Sequence, residues 1–145
     1  MRHSHPEVTT KDSPWSVADT VERLASFMTD RGMTIFATID QAAAARSVGQ
    51  ELRDTVLVVF GNPAAGTPIM DAEPLAALDL PMKLIVWDAA GDTRVSYISP
   101  AALAVRYGLS EPLAAPLAGI DQLTDTVLYH SHTDHRGAPS VHASR

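Results

Sequence analysis

MKLIVWDAAGDTRVSYISP, residues 82–100, is the stretch on which the fold turns. Two runs rich in strand formers, MKLIVWD (82–88) and TRVSYIS (93–99), flank the segment AAGD. Gly91 within it supplies a residue free to take positive φ, so the segment reads as a tight hairpin turn. Ser99 and Pro100 then serve as cap and first residue of a helix. Ala102, Leu103 and Tyr107 share one face of that helix, and Gly108 ends it.

Upstream, TVLVVFG (55–61) is a continuous apolar run, as expected of a central strand. MTIFATID (33–40) is a second strand, ending at Asp40, which can cap a short helix over QAAAARSV (41–48). Before it, Val17, Val21, Leu24 and Met28 form one stripe, with Phe27 beside it. Ser16 and Asp19 pair as a capping box and Gly32 follows the last turn, which predicts a helix over 17–31. EVTTKD (7–12) gives a weakly alternating first strand.

GNPAAGTP (61–68) reads as a shaped connector, because its glycines permit turns and its prolines restrict the chain. A helical turn or short helix is expected around 71–78. Past 109, SEPLAAPLAG is a Pro/Ala connector leading to a helix over 119–130. The predicted architecture is a single α+β domain, with a sheet of about five strands and helices packed on one face. The crossovers leave open whether the sheet is mixed. The expected divisions are a flexible start at 1–6, a core at 7–109, a connector and C-terminal helix at 110–130, and a polar tail at 131–145.

A chain of 145 residues suffices for one substantial core. Aromatics make up only 6% of it, so the interior must be mainly aliphatic. The net charge of −6 and the lack of a Lys/Arg cluster argue against nucleic acid and against anionic membranes as partners. With no cysteine, thiolate nucleophiles and Cys-ligated metal sites are excluded. No apolar run reaches the length of a membrane span and no signal core is evident, so the cytoplasm is the expected location.

Polar residues at predicted strand ends are the candidate ligand contacts: Asp40, Gln41, Asn62, Thr67 and Tyr97. Each has a plainer structural reading. Asp40 is placed as a helix cap, Asn62 as a turn former and Tyr97 as cover for the core edge. Trp87 reads as core, and Arg46 and Arg53 as surface partners of acids. All six histidines lie outside 7–118, so a Ser-His-Asp system would need its base from the tail. HSHTDHR (130–136) is the most metal-like cluster but lacks the spacing of a zinc finger or a helical His-Glu-x-x-His site. No metal and no cofactor are expected.

FATIDQAAAARSVGQELRDTVLVVFGNPAAGTPIM and LDLPMKLIVWDAAGDTRVSYISPAALAVRYGL together resemble the domain of unknown function 302 (DUF302) family, over roughly residues 8–109. The resemblance implies a compact β-α-β(4)-α domain of TBP-like topology without DNA binding, and a homodimer. It implies no reaction. Family members usually read Ile-Asp-His where this chain has Ile39, Asp40 and Gln41, and Tyr-Asn-Asp-Pro where it has Tyr97, Ile98, Ser99 and Pro100. Asp40, Asn62, Thr67 and Tyr97 stand at matching positions, whereas Gln41 cannot be a general base. The leading reading is a binding or regulatory domain with a cleft for a small polar ligand. The alternatives are a protein-interaction module, or an enzyme using Asp40 with Tyr97.

Overall fold

A computed structural model describes residues 5–130. Five strands, Val8–Ser13 (β1), Thr34–Asp40 (β2), Thr55–Gly61 (β3), Met82–Ala89 (β4) and Asp92–Ile98 (β5), form one sheet in the order β1-β5-β4-β3-β2. Every neighbouring pair is antiparallel, so the sheet is not mixed. The hairpin at its centre is as tight as the sequence predicts. Ala89 pairs with Asp92, which leaves Ala90 and Gly91 as a two-residue loop. Both take positive φ, 56° and 100°, and the Gly91 N–H donates to Asp88 Oδ1 at 2.9 Å. That is the backbone geometry whose twist matches paired strands.

Helix α1 (Val17–Asp30) joins β1 to β2, the two edges of the sheet. Fourteen residues rise about 21 Å, and four inter-strand spacings span roughly 19 Å. The helix is therefore long enough to cross the whole sheet. Ser16 caps it by accepting the Asp19 N–H, and Thr20, Leu24 and Met28 are fully buried. Leu24 and Met28 share one core with Val58, Phe60, Leu84, Val86 and Val95.

Helix α2 (Gln41–Ser47) follows β2 directly, with Asp40 accepting the Ala43 N–H. The expectation of a connector at 61–68 needs correction, because helix α3 runs from Pro63 to Ala72. Asn62 is its cap: the side chain accepts from Ala64 N–H and the carbonyl from Ala65 and Gly66 N–H. Pro63 occupies the first helical position, where no N–H is needed. Pro68 removes only the bond to the Ala64 carbonyl, and both residues are exposed to water. The short helix expected around 71–78 is instead the end of α3 followed by a 3-10 turn at Pro74–Leu78. The break falls at Glu73 (φ −135°, ψ 89°), which Pro74 keeps out of the helical region.

After β5 come α4 (Pro100–Tyr107), α5 (Glu111–Ala114), a 3-10 turn (Ala115–Ala118) and α6 (Gly119–Asp125), which ends in one π-helical turn, Thr126–His130. Leu117, Ile120, Val127 and Leu128 are buried in the same core as the strands. The C-terminal segment thus completes the helical layer of its own domain. Asp79, after the 3-10 turn, accepts from Arg106 and from the Tyr107 hydroxyl, which ties α4 to that turn. The Tyr107 hydrogen bond and the Arg106 guanidinium hold its carboxyl below the usual range.

Candidate functional site

The end of the sheet where β3 runs into α3 carries a cavity of about 500 Å³. Met33 and Phe36 line it at the start of β2, and Phe60 and Gly61 at the end of β3. Leu80, Pro81 and Met82 lead into β4 below it. Ala65, Gly66 and Met70 of α3 form one wall, and Leu117, Ile120 and Leu123 the opposite one. No residue of α1 lines it. Phe36 stands at a β-bulge between Ile35 and Ala37 and is 50% exposed, so its ring is accessible at the edge of the opening.

The chemistry of this space differs from the polar cleft the sequence suggests. None of the described residues lining it is charged, and its polar side chains are Asn62 and Thr67, both exposed. Gly66 keeps the wall thin: a Cβ there would meet only Met70 Cε, at 3.8 Å. The size falls within the range of small-molecule sites, and the mostly apolar wall with a few polar groups is the usual pattern of such sites. Three of the five methionines in the chain, Met33, Met70 and Met82, face it. Thioether side chains adapt their shape to what they pack against.

Of the five candidate residues, the structure brings Asn62 and Thr67 together and leaves the other three elsewhere. Asp40 caps α2 and is exposed, with Gln41 beside it as the first residue of that helix. Tyr97 lies on β5, three strands across from β2, so Asp40 and Tyr97 are separated by roughly 14 Å of sheet. They cannot share a proton. The Tyr97 hydroxyl instead donates to Asp121 of α6. Burial pushes the Tyr97 phenol far above its ordinary pKa, and the Asp121 carboxylate adds to the effect. A phenol so placed stays protonated and is a structural donor.

Lys11 completes that cluster. Its Nζ donates to the Asp121 carbonyl at 2.9 Å and to Thr124 Oγ1 at 2.7 Å, pairs with Asp125 at 2.8 Å, and lies over the Tyr97 ring. The network fastens α6 to β1 and β5. Trp87 is partly buried and donates to Ser96 Oγ, which also bonds Thr10. Ser99 caps α4. Arg46 and Arg53 are exposed. The histidine-bearing stretch 131–136 lies outside the described residues, among which no group of three or more potential metal ligands is found.

The family model described as domain of unknown function DUF302 matches residues 9–127. The chain belongs to the DUF302 family. A solved DUF302 relative, an uncharacterized conserved protein from Bacillus stearothermophilus, superposes with a TM-score of 0.73 at 20% identity, over 86% of this chain and 97% of that one. At that identity the likeness speaks for the fold alone. Two curated relatives are the fluoride-specific ion channels FluC 1 of Brucella suis and FluC 2 of Brucella melitensis, each 39% identical over 108 residues. The match takes in 72% of this chain but 42% and 40% of theirs, so the chain spans about two fifths of their length. Among the described residues, no helix is long and apolar enough to cross a membrane.

The methionines are the part of this site that the candidate list omits. Met33 directly precedes β2, Met82 begins β4, and Met70 lies in the last turn of α3, two residues past GNPAAGTP. Tyr97→Phe should cost about 1.5–3 kcal/mol of stability, the worth of a hydrogen bond to a charged acceptor. Chemical denaturation measures that loss.

Proposed function

We propose that this DUF302 chain is a binding domain whose cavity takes a small apolar molecule, in place of the polar ligand suggested by the sequence. The observation that carries the reading is the cavity of about 500 Å³ between α3 and α6, apolar on its walls and polar only at Asn62 and Thr67. An occupant would gain by leaving water, at roughly 25 cal/mol for each Å² of apolar surface covered. The enzyme reading loses its support with the separation of Asp40 from Tyr97. A regulatory role fits the two Brucella relatives: they are named ion channels, and the matched region is less than half of each. A ligand-sensing part beside a channel part is the arrangement we infer for them. For this chain we retain the sensing role, and a cytoplasmic location with it.

A second copy of the chain is the macromolecular partner we propose. Side chains alternate between the faces of a strand, so the face opposite the buried core carries Ile39, Leu57 and Ile85 in one cross-sheet row. Val59 and Trp87 stand in the adjoining rows, and all five are at least partly exposed. Two copies related by a two-fold axis would set this apolar row against itself.

Two measurements test these readings. Nile red, a neutral apolar fluorophore, should brighten and shift to the blue on the parent protein. With Gly66→Leu that response should be lost, because the new side chain enters the cavity. The same variant should melt no lower than the parent, since Gly is about 1 kcal/mol worse than Ala within a helix and Leu ranks close to Ala. An unchanged Nile red response in the variant would contradict the cavity reading. Sedimentation should give twice the 15.5 kDa chain mass, falling to one chain mass in Leu57→Lys. A parent protein that sediments as one chain at every concentration would end the dimer proposal.

A further inference from the structure

Resting on the cavity reading above, we infer that the occupant is an uncharged amphiphile: an apolar body carrying one neutral hydrogen-bonding group, such as a hydroxyl, ester or amide. A carboxylate is disfavoured on three counts. First, no charged side chain stands among the described lining residues, so a buried carboxylate would find no counter-charge. Second, the start of α3 opens onto the cavity but holds out no free amides. A helix N-terminus ordinarily binds anions through such N–H groups. Here the Ala64 N–H is taken by Asn62 Oδ1, and those of Ala65 and Gly66 by the Asn62 carbonyl. Pro63 and Pro68 have none to give.

Third, the polar groups that remain at the opening are neutral. With Oδ1 engaged, Asn62 presents its NH₂ as a donor, and the Thr67 hydroxyl both donates and accepts. They match a hydroxyl, an ester or an amide. Three methionines in the walls suit an occupant of flexible shape such as an alkyl chain.

The test compares 1-octanol with octanoate at pH 8 on the full chain. Displacement of Nile red and amide shifts at Gly66 and Thr67 by NMR provide the readouts. Octanol should displace the dye and move both amides, with octanoate at least tenfold weaker. Thr67→Val should weaken octanol roughly threefold, the effect of one modest hydrogen bond. Octanoate binding as tightly as octanol would overturn the inference while leaving the cavity reading intact. Nile red binding that is sensitive to Gly66→Leu, yet displaced by neither compound, would also overturn it. Failure of Nile red itself would remove the cavity reading on which the inference rests.

Discussion

One helix has to cross the whole sheet. β1 and β2 are consecutive strands, yet they occupy opposite edges, and α1 is the segment that joins them. Its fourteen residues match the width of five strands, and its buried stripe of Leu24 and Met28 fixes which face it covers. The remaining strands fill the space between the two edges, each pairing with its neighbour in sequence. β5 and β4 form the tight hairpin, while β3 connects through α3 on one side and α2 on the other. β1 and β2 each pair with one strand only, β5 and β3, so α1 is the segment that links the two edges of the sheet.

The same crossing determines where the helical layer is incomplete. α1 contributes nothing to the cavity at the β3–α3 junction, where the sheet must be covered by α3 from one side and by the C-terminal segment from the other. Between the two, beside Phe60 and Met82, the cavity remains. What holds the C-terminal wall in place is polar and lies away from the cavity. Lys11, Tyr97, Asp121, Thr124 and Asp125 bind α6 to β1 and β5 through one connected set of hydrogen bonds and an ion pair. Structural anchoring and the candidate site are thus carried by different faces of α6. This division lets Ile120 and Leu123 give apolar side chains to the core and the cavity wall while the helix itself is firmly placed.

The strands were legible in the sequence because their patterns are local. Alternation, β-branched content and Gly91 define the hairpin, and the capping residues Ser16, Asp40 and Ser99 act as their residue types predict. GNPAAGTP misled because two glycines and two prolines ordinarily mark a loop. Here Asn62 caps, Pro63 starts the helix where proline belongs, and water can serve the carbonyl that Pro68 leaves open. The site was half legible. Asn62 and Thr67 lie near each other in sequence and on the same helix start, so proximity carried over into space. Asp40 and Tyr97 needed the strand order to be judged, and that order is not local: two strands separate the ones that carry them. The partner of Tyr97 lies on α6, 24 residues further on. No local pattern in either segment points to the other.

A binding domain of this kind depends on a space that is empty of side chains and attractive to apolar matter. Dry apolar cavities take up xenon. The most direct measurement is a crystal structure of the protein under xenon pressure. The account predicts a xenon atom between Phe60, Met70 and Ile120, with no charged group in contact. A cavity filled by repacked Met33, Met70 and Met82, or occupied by a chain of ordered waters that excludes xenon, would contradict it.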